Sequence, residues 1–160
     1  MKLRKILVPL DGSALAETAL PSAVQFAKEQ NATLLLLRAV EVPWIRGEDI
    51  VDAQIHVVRE AEQYLDILAD RLRADGFDRL ETSVWYGAPA TSIVEAAETQ
   101  HSDLIVMTSH GRTGIGRLIL GSVAESVLRG TTTPILLLRA TGAAVLPPDG
   151  TAQRVQAAHA

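Results

Sequence analysis

The sequence predicts a single doubly wound α/β domain: a five-stranded parallel sheet with helices on both faces. Three observations predict it. Five short apolar runs recur along the chain, each brief enough to be a strand; capped or amphipathic helical stretches separate them; and four of the runs lack the polar alternation of a sheet with one wet face. Strands alternating with helices over the whole length imply right-handed crossovers, and hence parallel pairing.

The first run, Lys5 to Pro9, leads into Asp11-Gly12-Ser13. Ser13 caps a helix predicted to reach about Asn31, and Pro21 inside it deletes a backbone hydrogen bond, so a kink or a helix properly starting near Pro21 is expected. Thr33 to Val40 is the second strand. Residues 41 to 50, with Pro43, Gly47, Glu48 and Asp49, form a longer loop that reads equally as a cover over a site or as a solvated connector. Val51, Ile55, Val58, Tyr64 or Leu65, Leu68 and Leu72 then recur every three or four residues, the stripe of an amphipathic helix that Gly76 ends. Leu80 to Tyr86 mixes polar and apolar residues and suits an edge strand, and Pro89 suits the first turn of a third helix reaching about Gln100. Leu104 to Thr108 is a buried strand, Ser122 caps a fourth helix closed by Gly130 after about Arg129, and Ile135 to Arg139 is the last strand. From Thr141 the chain turns small, polar and Pro-containing, so residues 1–140 are expected to form the domain and 141–160 a tail outside the core.

Composition narrows the chemistry. The 160 residues suit one domain able to bury its own core, and 48% hydrophobic with 21% charged residues are ordinary globular proportions. With no cysteine, disulfides, thiolate catalysis and iron–sulfur clusters are excluded. The basic start Met-Lys-Leu-Arg-Lys is followed by an apolar stretch, Ile6 to Leu10, too short for a signal peptide, and no run approaches the roughly 18 apolar residues of a membrane span. A cytoplasmic protein without a membrane partner is expected. A net charge of −4 and 4% aromatic residues argue against nucleic acid. A mononucleotide needs no basic face, because a helix N-terminus and a glycine loop can hold its phosphates.

In such folds the loops after the strands carry function. Asp11, after the first strand, can accept bonds from ribose hydroxyls or base amines or hold a cation; equally, Asp11 and Ser13 can simply cap the helix while Gly12 turns the chain. The loop after the fourth strand, Thr108-Ser109-His110-Gly111-Arg112-Thr113-Gly114-Ile115-Gly116 and onward to Gly121-Ser122, places three glycines within six residues ahead of a helix. Its backbone N–H groups, hydroxyl and helix dipole make a phosphate cradle, against the alternative of a surface loop with ordinary caps. It is no Walker A loop, lacking Gly-Lys-Ser/Thr, and no dinucleotide fingerprint, because Ile119 stands where a third glycine would be needed. Arg112 and Arg117 read as phosphate contacts or as solvated loop residues. His56, His101, His110 and His159 show no metal-ligand spacing.

These residues resemble the universal stress protein family from Lys5 to Arg139: Ile6 through Ser13 look like its first strand and turn, Ser109 through Glu125 like its signature loop, and Thr133 through Leu138 like its last strand. The resemblance implies strand order 3-2-1-4-5 in an adenine nucleotide alpha hydrolase-like fold. It implies bound ATP, with ADP or AMP as alternatives, accompanied by Mg²⁺ or Mn²⁺ with no metal ligand assigned to the protein. Pro9, Asp11 and the strand end around Val40 would flank the nucleoside, Met107 and Thr108 the ribose, and Gly111, Gly121, Ser122 and Val123 the phosphates. Gly111, nine residues and Gly121-Ser122 fit the family signature G-x2-G-x9-G-[S/T], whose first glycine is here Thr108. A homodimer through Ile135 to Leu138 is implied, and a regulatory protein partner is expected.

The leading expectation is a nucleotide-dependent stress-response or signalling module that hydrolyses ATP slowly at most, with no evident general base or arginine finger. The alternative is a nucleotide-free dimeric interaction module whose pocket Thr108 blocks. A third reading, an enzyme phosphorylated at Asp11, lacks a second acid at position 13 and an evident paired Lys.

Overall fold

In a computed structural model, which describes residues 2–41, 50–109 and 121–139, the chain runs β1 (Lys5–Leu10), α1 (Ala14–Glu17), α2 (Leu20–Gln30), β2 (Thr33–Val40), α3 (Ile50–Ala74), β3 (Leu80–Tyr86), α4 (Pro89–Thr99), β4 (Leu104–Ser109), α5 (Ser122–Gly130) and β5 (Ile135–Arg139). The strands form one sheet, all parallel as the sequence pattern predicts, in the order β3-β2-β1-β4-β5 that the resemblance implies. The expected tail falls outside the described residues.

Both faces of the sheet are covered, which is why its inner strands read as unbroken apolar runs. On one side Ile6, Val8, Leu34, Leu36 and Val106 pack against α2 and α3 through Ala23, Ala27, Leu65, Leu68 and Leu72. On the other, Leu7, Leu35, Leu37, Ile105 and Met107 meet α4 and α5 through Ile93, Ala96, Ala97, Ala124 and Val127. β3 is the mixed edge strand expected, with Glu81 and Thr82 exposed.

At Pro21 the second of the two expected outcomes is found, a helix that starts there, and the caps of the last helix are corrected. The helix expected from Ser13 to Asn31 is two helices: Ser13 Oγ accepts from the Ala16 N–H, and Thr18 Oγ1 donates to the Leu15 carbonyl at 2.6 Å, closing α1 after one turn. Pro21 then sits in the first turn of α2, where its missing N–H costs nothing, and Asn31 ends α2 in the left-handed conformation (φ 56°). Ser122 is the first residue of α5 rather than its cap; Gly121 takes the cap position, Gly130 is the last helical residue and Thr131 the C-cap.

The stripe on α3 is buried only in its second half. Leu65, Leu68 and Leu72 are in the core, whereas Val51 and Ile55 are 61% and 45% exposed. Length explains this: 25 helical residues span about 37 Å, whereas the eight residues of β2 beneath span about 26 Å. The first turns of α3 therefore overhang the carboxyl edge of the sheet.

Candidate functional site

The sheet reverses its order between β1 and β4, the place where a doubly wound fold opens a crevice. These strands pair only at Ile6 with Leu104 and Leu7 with Ile105, whereas β1 pairs with β2 along its full length. Pro9 supplies the reason. The Arg4 carbonyl accepts from Thr33 on the β2 side and the Lys5 carbonyl from Asp103 on the β4 side. Alternation therefore turns Pro9 toward β4, where a prolyl nitrogen has no hydrogen to donate. The ladder stops short of Pro9, and the carboxyl halves of the two strands flank an opening.

A cavity of about 450 Å³ occupies that opening. Pro9, Leu10, Asp11 and Ser13 line it from the end of β1, Leu15 and Ala16 from α1, Ala39 from β2, Pro89 and Ile93 from α4, Met107 and Thr108 from β4, and Gly121 through Ala124 from α5. Gly12, at φ +85°, makes the turn that brings the chain from β1 into α1. Asp11 Oδ1 accepts from the Ser13 N–H at 2.9 Å, so the capping role foreseen for Asp11 and Ser13 is real and coexists with their place at the cavity. On the α5 side, the N-cap is Gly121, which has no side chain to cap with, so the positive end of α5 opens on the cavity without a capping oxygen from that residue.

Thr108 lies on the α1 side of the sheet, its hydroxyl donating to the Leu15 carbonyl at 3.1 Å. Its hydroxyl is thus engaged with a neighbouring wall. Behind α1, Glu17 accepts from Tyr64 Oη through Oε1 and from Arg71 through Oε2, each at 3.1 Å, and the Arg38 guanidinium lies 4.9 Å from the Tyr64 ring centroid. Burial and the bond to Glu17 push the Tyr64 phenol well above its usual pKa, so it is a hydrogen-bond donor at neutral pH.

Comparison with known proteins places this architecture. A family model, that of the universal stress protein family, matches residues 2–139. The chain belongs to the universal stress protein family. A universal stress protein of Methanocaldococcus jannaschii is 32% identical over 139 residues, covering 85% of this chain and 82% of its own. One of Thermus aquaticus is 33% identical over 137 residues, covering 85% and 98%. The solved structure of MJ0577 superposes with a TM-score of 0.74 at 29% identity over 89% of this chain and 99% of that one. A universal stress protein crystallised in complex with cAMP superposes with a TM-score of 0.70 at 26% identity over 88% and 100%.

Of the site residues expected from sequence and family resemblance, Pro9, Asp11, Met107, Thr108, Gly121, Ser122 and Val123 line the cavity. Gly111 lies outside the described residues, as do His110, Arg112 and Arg117. Val40 does not line it; Ala39 does. Successive strand side chains point to opposite faces, and the face of β2 bearing Leu35 and Leu37 is the one that leads into the cavity. Val40 is buried, its carbonyl accepting from the Gly87 N–H at 2.9 Å. Leu15, Ala16, Ala39, Pro89 and Ile93 were not foreseen. A strand apolar on both faces hides its parity, and an apolar wall residue looks in sequence like any core residue. Among the described residues no cluster of three His, Asp or Glu could hold a metal ion, and no helix is long and apolar enough to cross a membrane.

Proposed function

We propose that this universal stress protein binds an adenine mononucleotide, ATP foremost, in the cavity between β1 and β4, and that the loaded protein is a stress-response signalling module. The observation that carries the reading is one cavity, within the usual size range of ligand sites, that is bordered both by Asp11 and by the N-terminal end of α5. Asp11 is suited to ribose hydroxyls or a base amine, and Ser122 with the first-turn N–H groups of α5 to phosphate oxygens. Mg²⁺ or Mn²⁺ would travel with the phosphates, supplying charge neutralisation. The relative in complex with cAMP supports an adenine ligand in this family.

The competing idea of a pocket blocked by Thr108 is weakened by the threonine itself, whose hydroxyl is committed to α1 while a cavity of about 450 Å³ stays open beside it. A homodimer through β5 fits the same reading. β5 is an edge strand in which Ile135, Leu136, Leu137 and Leu138 are only half-buried, leaving apolar surface and a row of backbone groups for a two-fold partner.

Isothermal titration of ATP, ADP and AMP with Mg²⁺ tests the proposal. Saturable heat is expected from the wild type, abolished by Ala39→Trp, which fills the cavity from β2. No heat from the wild type at high micromolar nucleotide, or undiminished binding by Ala39→Trp, would refute the site.

A further inference from the structure

Resting on the reading of the cavity as an adenine-nucleotide site, we propose that Glu17 and Tyr64, neither of which lines it, are positioning residues. Together with Thr108 on the opposite side they clamp α1, whose Leu15 and Ala16 form one wall of the cavity.

α1 cannot hold itself in place. It has four residues and buries none of them, and a single helical turn is below the length at which helix formation sustains itself. It also stands between two hollows. Leu15 and Ala16 face the nucleotide cavity, whereas Ala14, Glu17 and Thr18 border a second hollow of about 420 Å³ against α2 and α3. A wall with space on both sides lacks the dense packing that locks a core element, so directional bonds decide its position.

Those bonds come from both sides. Thr108 Oγ1 donates to the Leu15 carbonyl from β4, and Tyr64 and Arg71 of α3 occupy the two oxygens of Glu17. Tyr64 is itself steadied by the Arg38 guanidinium, which also lies against the Gly12 turn: a Cβ at Gly12 would stand 3.5 Å from Arg38 Nη2. One network thus holds both the entry to α1 and its far end. Exposed ion pairs such as Arg71 with Glu17 contribute little, so the half-buried Tyr64 hydroxyl is the critical outer bond. The Thr at position 108 acquires a purpose in this arrangement: the Leu15 carbonyl also accepts from the Thr18 N–H and hydroxyl of its own turn, so a glycine at 108 would leave it satisfied but remove its tie to β4.

The test is calorimetric titration of ATP against the wild type, Tyr64→Phe, Thr108→Val, Thr108→Ser, the Tyr64→Phe/Thr108→Val double variant and Leu3→Ala, each also melted thermally. Tyr64→Phe and Thr108→Val each remove one hydroxyl with little change of shape and are expected to weaken ATP binding roughly three- to tenfold. Thr108→Ser, which keeps the hydroxyl, should bind more tightly than Thr108→Val. The double variant should deviate from additivity, because both bonds act on one turn. Leu3 is buried ahead of β1 at the opposite edge of the sheet, so Leu3→Ala should lower the melting temperature and leave affinity unchanged. Wild-type affinity in Tyr64→Phe, or an equal loss of affinity in Leu3→Ala, would overturn the clamp while leaving the nucleotide site standing. A wild type that binds no adenine nucleotide would overturn both.

Discussion

Replacing Gly12 by alanine tests how the turn after β1 is held. Gly12 has φ +85°, a conformation that costs a residue with a Cβ about 1–2 kcal/mol. The new methyl would meet only the tip of Arg38, at 3.5 to 3.7 Å, which is ordinary contact with the end of a flexible side chain, so no clash adds to the backbone term. Alanine also restricts the unfolded chain, which offsets about 0.4–1 kcal/mol. The net expectation is a destabilisation of roughly 0.5–1.5 kcal/mol, or a fall in Tm of about 3 °C per kcal/mol for a domain of this size. Urea unfolding followed by circular dichroism, with a calorimetric melt, reads it directly. Gly76→Ala is the matched control: Gly76 has φ +81° with open space around its Cβ position, and it follows α3 far from the cavity. Both variants should lose similar stability, and only Gly12→Ala should weaken ATP binding, because only it tilts Asp11 and the Ser13 N–H. A stabilised Gly12→Ala variant, or a loss above about 3 kcal/mol, would show that the backbone accounting is wrong.

The Asp103 carboxylate accepts from the backbone N–H groups of Arg4 and Lys5 at 2.7 and 3.0 Å; burial pushes its pKa up, but these two bonds outweigh that and hold it below the usual carboxylate range. Because the folded value is depressed, its stabilisation is full above the unfolded pKa near 4 and is lost as pH falls through the folded value. Asp103→Asn should therefore cost about 1 kcal/mol at pH 7, with the gap to wild type closing in denaturation curves taken at progressively lower pH below about 4; a gap independent of pH would contradict this. Ile55→Lys on the overhanging part of α3 should change stability by less than about 0.5 kcal/mol, whereas Leu65→Ala on the same sequence stripe should cost about 2–5 kcal/mol. Equal losses in urea melts would mean that the first turns of α3 are packed after all.

The sequence alone determined the strands. Thr33–Val40, Leu80–Tyr86 and Ile135–Arg139 are legible to the residue, and β1 and β4 differ only by one further residue each: burial on both faces demands a continuous apolar run in the inner strands, and the edge strand β3 shows as a short run of mixed polarity. Motif order then brought the family within reach, along with seven of the fifteen residues that border the cavity. Tertiary structure decided what depends on partners distant in the chain. Ala39 rather than Val40 faces the cavity because α4 and α5 cover that face of β2, and Ile55 is exposed because α3 outruns the strands beneath it. Thr108 binds α1 because α1 ends one turn after Ser13, and Pro9 opens the crevice only because β4 is the neighbour on its side. Local sequence carries burial and chain reversal; which side chain faces a cavity, and what holds the wall behind it, are properties of elements brought together from far apart.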